Sequence, residues 1–226
     1  MTVILVLVTF AIFLTIDYLR EAKRAPATVK AQAELAPAAA AAPRMIPRYV
    51  AGFELPENCR YHPGHTWAVE ETPHVVRVGL DDFATRLLGK IDHIELPKRG
   101  QWVRQGQKLA AVYRDGVKAE LVSPVEGEVT QVNDAVLGDA ALPGRDPYGQ
   151  GWLLSVYSPD AKTSFRNLLG GTMARTWMAE AAARLFGKMP ALAGAVAQDG
   201  GLAVHDLTAE LPDQKWGEVT KEFFLT

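Results

Sequence analysis

The sequence predicts a mainly β domain, a flattened barrel or sandwich with short helices, lying between an N-terminal transmembrane helix and a C-terminal helical extension. Three observations lead there. Residues 1–16 (MTVILVLVTFAIFLTI) contain no charged side chain. Residues 45–158 divide into short runs, several alternating apolar with polar, separated by Gly, Pro and Asp, as half-buried strands do. Beyond residue 159 the apolar spacing lengthens to that of helices.

The apolar character of the first segment continues to about Leu19. As a helix it spans roughly 27–30 Å, enough to cross a hydrocarbon core. Tyr18 falls where an interfacial aromatic belongs, and Arg20, Lys23, Arg24 and Lys30 follow. No basic residue precedes the run, so retained positive charge places the N-terminus outside and the body in the cytoplasm. A cleaved secretory signal needs a basic start and a small-residue cleavage site. The first is missing, and Ala25-Pro26-Ala27 is a poor version of the second. Residues 1–20 therefore read as a single-pass signal anchor in the cytoplasmic membrane. Residues 21–44, rich in Ala and Pro, read as a semi-extended tether.

Composition excludes other classes. A formal net charge of -2 in 226 residues argues against an electrostatically driven nucleic-acid binder. The single cysteine, Cys59, excludes an internal disulfide framework.

In residues 45–158 the expected strands are His74–Gly79, Ile91–Leu96, Lys108–Arg114, Val117–Val122, Gly127–Val132 and Trp152–Tyr157. Asp81 is placed to cap a short helix, Asp82–Leu88, which Gly89 ends. Asp115-Gly116 between two β-rich arms is a two-residue hairpin signal, because both central residues of a type I′ turn need positive φ.

Several stretches resemble the glycine-cleavage H protein family. They are Tyr61-x-x-x-His65-x-Trp67, Val78-Gly79-Leu80-Asp81-Asp82-Phe83-Ala84, Leu88-Gly89-Lys90-Ile91 and Glu95-Leu96-Pro97-Lys98-Arg99-Gly100. Val103-x-x-Gly106, Ser123-Pro124-Val125-Glu126-Gly127-Glu128-Val129, Val132-Asn133 and Asp146-Pro147-Tyr148-Gly149-x-Gly151-Trp152-Leu153 continue the series in order, over about half the chain. The resemblance implies a lipoyl-like β fold whose working part is one lipoylated lysine at a hairpin tip. It does not by itself imply function. Laid over the family's Glu-Ser-Val-Lys-Ala stretch without a gap, Tyr113 takes the glutamate position, Asp115 the valine position and Gly116 the lysine position. Glycine offers no amine. A two-residue shift instead matches Val117-Lys118-Ala119 to Val-Lys-Ala; it preserves strand facing but moves the turn off the tip. Lys118 then becomes the candidate lipoyl acceptor.

Other constellations carry less. Cys59-x-x-His62-x-x-His65 has metal-ligand spacing but no evident fourth ligand. The pairs Asp81-Asp82 and Glu70-Glu71 read as caps and solvated turns. Gly149-Gln150-Gly151 and Gly170-Gly171 lack a phosphate-loop lysine.

Residues 159–226 form the helical extension. Asp160–Leu169 and Thr172–Phe186 read as helices, the second with Met173, Trp177, Ala181 and Leu185 on one face. Leu202, Val204, Leu207 and Leu211 lead to Pro212. Trp216, Val219 and Phe223 then share a helical face that either folds back on the body or docks a partner.

The leading expectation is a membrane-anchored, non-enzymatic, H-protein-like interaction module with no cofactor. Its contacts with protein partners would be the hairpin tip Arg114, Asp115, Gly116 and Val117, together with Trp216, Val219 and Phe223. The alternative is a lipoate carrier modified at Lys118 that serves glycine cleavage or a related tethered oxidoreductase. A periplasmic adaptor would need the opposite topology and long helical hairpins.

Overall fold

The computed structural model describes residues 49–188, 206–207 and 213–226. The anticipated anchor and linker, and Leu202, Val204 and Leu211 of the tail, lie outside the described residues. Among the described residues no helix is long and apolar enough to cross a membrane.

Eleven strands form antiparallel sheets in the described residues. A two-stranded ribbon pairs β1 (Tyr49–Val50) with β2 (Phe53–Glu54). A six-stranded sheet takes the order β3 (Arg60–His62), β4 (Thr66–Thr72), β5 (Val75–Leu80), β11 (Leu154–Tyr157), β10 (Gly127–Val132) and β7 (Trp102–Val103). A three-stranded sheet places β8 (Lys108–Arg114) between β6 (His93–Glu95) and β9 (Val117–Val122). The two larger sheets share one core, in which Trp67, Val78, Leu80, Val112, Leu121, Val129 and Val156 are buried. A bond from the Thr66 hydroxyl to the Val122 carbonyl (3.0 Å) links them directly.

The core is built around Trp67. Its Nε1–H donates to the carbonyls of Leu80 (2.8 Å) and Pro147 (3.1 Å), so the indole is buried with its polar atom satisfied. The ring lies over Gly79 on β5, where a Cβ would stand 2.5 Å from indole Cζ2. Only a residue without a side chain fits beneath it.

Helix α1 (Asp82–Leu88) follows its local signals closely. Asp81 accepts from the Ala84 N–H (2.7 Å), and Gly89 ends the helix at φ +63°. Two short helices, α2 (Asp134–Gly138) and α3 (Leu142–Arg145), were not expected from the sequence. Helix α4 (Ala161–Arg166) is capped by Asp160.

Helix α5 (Gly171–Lys188) buries Ala174, Met178, Ala181, Ala182 and Leu185. The expected stripe is met in part. Ala181 and Leu185 are buried as expected, whereas Met173 is 67% exposed and Trp177 only half-buried, with Ala174 and Met178 buried in their place. The last helix, α6 (Asp213–Phe224), buries Trp216, Thr220, Phe223 and Phe224 and exposes Lys215, Glu218, Lys221 and Glu222.

Candidate functional site

The hairpin β8–β9 is the candidate site, and its register decides what it presents. Arg114 pairs with Val117, Tyr113 with Lys118, Val112 with Ala119 and Ala111 with Glu120. Asp115 (φ +49°) and Gly116 (φ +79°) are therefore the two turn residues, both left-handed as the type I′ geometry demands. Both are exposed, and no atom lies within 4 Å of where a Gly116 Cβ would stand. The turn is braced from the neighbouring strand segment: the Asp115 N–H donates to Asp92 Oδ2 (2.7 Å), and the Asp92 N–H to the Tyr113 carbonyl (2.9 Å).

Strand alternation gives the hairpin two faces. On the outer face His93, Tyr113 and Lys118 form one row across β6, β8 and β9. The His93 ring stacks on Tyr113 with centroids 4.2 Å apart and planes 9° from parallel. The Tyr113 hydroxyl donates to Glu95 Oε2 (3.0 Å), which raises the phenol's pKa. Lys118 Nζ donates to Glu120 Oε1 (2.6 Å), and Lys108 Nζ lies 2.9 Å from the same oxygen. The bond to Glu120 raises the Lys118 ammonium above its ordinary value, and the Lys118 and Lys108 ammonium groups hold Glu120 down at about 2.

The inner face is closed. Arg114 is buried, with Nη1 3.4 Å from the Leu88 carbonyl, 3.8 Å from Asp206 Oδ1, and its guanidinium over the Trp216 ring. Gly217 of α6 faces Val117, so that a Cβ there would meet Val117 Cγ1 at 3.3 Å. The four hairpin residues anticipated as contacts thus divide. Asp115 and Gly116 are exposed, Val117 is half-buried, and Arg114 points inward. Trp216 and Phe223 are each 1% exposed and Val219 is half-buried against the core, so the tail folds back onto the chain's own hairpin.

The remaining constellations serve the fold. Cys59 is buried, and burial pushes its thiol up to about 12. His62 Nδ1 accepts from the Gly64 N–H (3.0 Å), and burial lowers the pKa of its imidazole. His65 Nδ1 pairs with Asp81 Oδ2 at 2.9 Å, sandwiched between Phe83 and Trp177. No three metal-type ligands converge among the described residues. Asp82 bonds Arg86 (2.7 Å) and the Glu54 N–H (2.8 Å), while Glu71 pairs with Arg77.

Reading the chain residue by residue missed Tyr113, Glu120 and Lys108 as neighbours of Lys118. The signal was present: once Asp115-Gly116 is taken as the turn, counting outward pairs Tyr113 with Lys118.

Residues 59–181 match the family described as glycine cleavage H-protein. The glycine cleavage system H protein of Anaeromyxobacter sp. (strain K) is 35% identical over 110 residues, which are 49% of this chain and 85% of that protein. That of Mycobacterium avium (strain 104) is 36% identical over 108 residues, 48% of this chain and 82% of the relative. A crystal structure of the Mycobacterium marinum H protein aligns at 31% identity and a TM-score of 0.43, covering 46% of this chain and 86% of that one. The matched stretch contains the hairpin and ends within α5, before α6.

Proposed function

The chain belongs to the glycine cleavage H-protein family, and we propose that it acts as a non-catalytic carrier of that family's kind, with Lys118 as the amine that takes a lipoyl group. The observation that carries this reading is the position of Lys118. It is the lysine nearest the turn, on the open outer face, in a hairpin that lies inside the family match. The adjoining tip is open, with no atom within 4 Å of where a Gly116 Cβ would stand. The electrostatics are less favourable. Acyl transfer to Nζ from an activated lipoyl donor, an acyl adenylate or thioester whose adenylate or thiol departs as the amide forms, requires a neutral amine, and Glu120 favours the protonated form of Lys118. Similarity to glycine cleavage system H proteins supports this carrier over the interaction module.

A second reading stays in play because of the turn. Gly116 occupies the tip, and Lys118 stands one residue beyond Val117, ion-paired along the strand. On that reading the hairpin is a contact surface without a lipoyl group, within a membrane-associated complex. Intact mass of the protein from a lipoylation-competent host separates the two. A lipoyl-sized increase that disappears in Lys118→Arg supports the carrier; no increase in the unaltered chain leaves the module.

The proposal includes the anchor. The uncharged run 1–16, the basic residues after it and the Ala/Pro tether support a single-pass protein whose body faces the cytoplasm. A reporter fused after Thr226 tests that side; activity only in the periplasm rejects it.

A further inference from the structure

Helix α6 lies outside the family match yet covers part of the matched domain. It lies along the inner face of β9, with Gly217 against Val117 and Trp216 over Arg114. Phe223 packs on Phe83 of α1 (5.1 Å between centroids) and edge-on to His65 (6.1 Å). The Phe224 carbonyl approaches Gly64, where a Cβ would stand 2.9 Å from it. Further pins are Lys188–Glu222 at 2.8 Å and Arg184 over the Phe223 ring at 5.3 Å.

Two features distinguish this contact from the core beneath it. Within each large sheet the strands are joined by backbone ladders, whereas among the described residues α6 is held to the body by side chains on one face of a three-turn helix, and a helix that short has little stability of its own. The contact is also imperfectly satisfied. Trp216 Nε1 and His65 Nε2 are both buried without a hydrogen-bond partner, one on the helix and one in the pocket it covers. Each such atom reduces what the apolar burial contributes.

We infer that α6 is a releasable strap over the inner face of the hairpin, one that opens onto Val117, Phe83 and His65 while the β sheets stay folded. Closed, it leaves the Lys118 face free and shuts the opposite one. A partner that touches only the outer row of His93, Tyr113 and Lys118 needs no opening. One that grips the hairpin from both sides must first displace the strap. This does not depend on whether the hairpin carries a lipoyl group.

Hydrogen–deuterium exchange on the full chain tests the strap. Amides of α6 from Val219 to Phe223 are expected to exchange at least about a hundredfold faster than those of Ala111 to Tyr113 in the centre of the three-stranded sheet. Trp216→Ala should speed α6 by a further tenfold or so and leave β8 within about threefold. Equal protection of α6 and β8 in the unaltered chain, both exchanging through one global opening, overturns the inference. So does a Trp216→Ala effect that is the same on both. Should that variant fail to fold, Lys188→Ala, which removes only the surface pin to Glu222, supplies the same comparison.

Discussion

Arg114 and Trp216 meet as cation and aromatic face, the guanidinium carbon 5.8 Å from the indole ring. One ends the first arm of the hairpin; the other lies in the final helix. The contact orients the hairpin's inner side toward the body and leaves its outer side to solvent. The same guanidinium reaches the Leu88 carbonyl and Asp206, so it joins the hairpin, the end of α1 and the segment before α6.

Arg114→Ala should therefore cost more than an ordinary surface change. It strips the Leu88 carbonyl of a donor and Trp216 of its cation, an expected loss of about 1–3 kcal/mol. Urea denaturation followed by far-ultraviolet circular dichroism measures it; a loss under about 0.5 kcal/mol contradicts the assigned role.

The glycines at positive φ should separate by their surroundings. A Cβ on Gly127 would come within 2.1 Å of the Tyr157 carbonyl oxygen on the paired strand, backbone that cannot move aside. Gly127→Ala is expected to destabilise by about 3 kcal/mol or more. Gly116→Ala meets no atom and bears only the left-handed strain, about 1–2 kcal/mol. Thermal unfolding of the two variants side by side checks the order.

The Lys118–Glu120 pair gives a pH signature. Glu120 is depressed in the folded state, so its contribution is present above the ordinary carboxylate value of 4.5 and disappears as pH falls toward about 2. Lys118 is raised, so its contribution is complete below the ordinary lysine value and is lost only as strongly alkaline pH is reached. Both side chains are exposed enough for salt to screen the effect. Nuclear magnetic resonance titration should find Glu120 among the most acidic carboxylates. Glu120→Gln should accelerate acylation of Lys118 by an N-hydroxysuccinimide ester at pH 8 several-fold, since more amine is then neutral. An unchanged rate means that the ion pair does not restrain the amine.

Cys59 should be silent in the native protein. It is 1% exposed and its thiol is pushed up to about 12, so little thiolate exists at pH 8 and a reagent cannot reach it. Reaction with Ellman's reagent is expected only at the rate of unfolding, and at full stoichiometry in guanidinium. Rapid native labelling would show that the Cys59 pocket opens.

Local signals carried the sequence reading furthest where the chain supplies its own geometry. The strands Lys108–Arg114, Val117–Val122 and Gly127–Val132 fall where expected because Asp115-Gly116 pins the register between the first two and the Ser123-Pro124 turn spaces the third. Helix α1 was legible from its cap, Asp81, and its terminator, Gly89. By contrast α2 and α3, at five and four residues, are shorter than the spacing that reveals an apolar face. In α5 the expected stripe held at Ala181 and Leu185 and failed at Met173, which looks like core by type while the neighbouring Ala174 is what is buried. The periodic face of Trp216 and Phe223 was visible, but nothing local to α6 names Arg114 or Phe83 as what it covers.

The Arg114–Trp216 contact closes a loop of about a hundred residues, and the Phe83–Phe223 contact beside it closes a longer one. Chains emerge from the ribosome N-terminus first and tend to fold in that order. Both arms of the hairpin and the strands that surround it are made well before Trp216 exists. During synthesis the groove beside Val117 and Phe83 is therefore bare, and nascent protein carries an apolar face that finished protein hides. A chaperone or modifying enzyme that recognises this face has a window of access set by translation, which shuts once α6 has left the ribosome and docked.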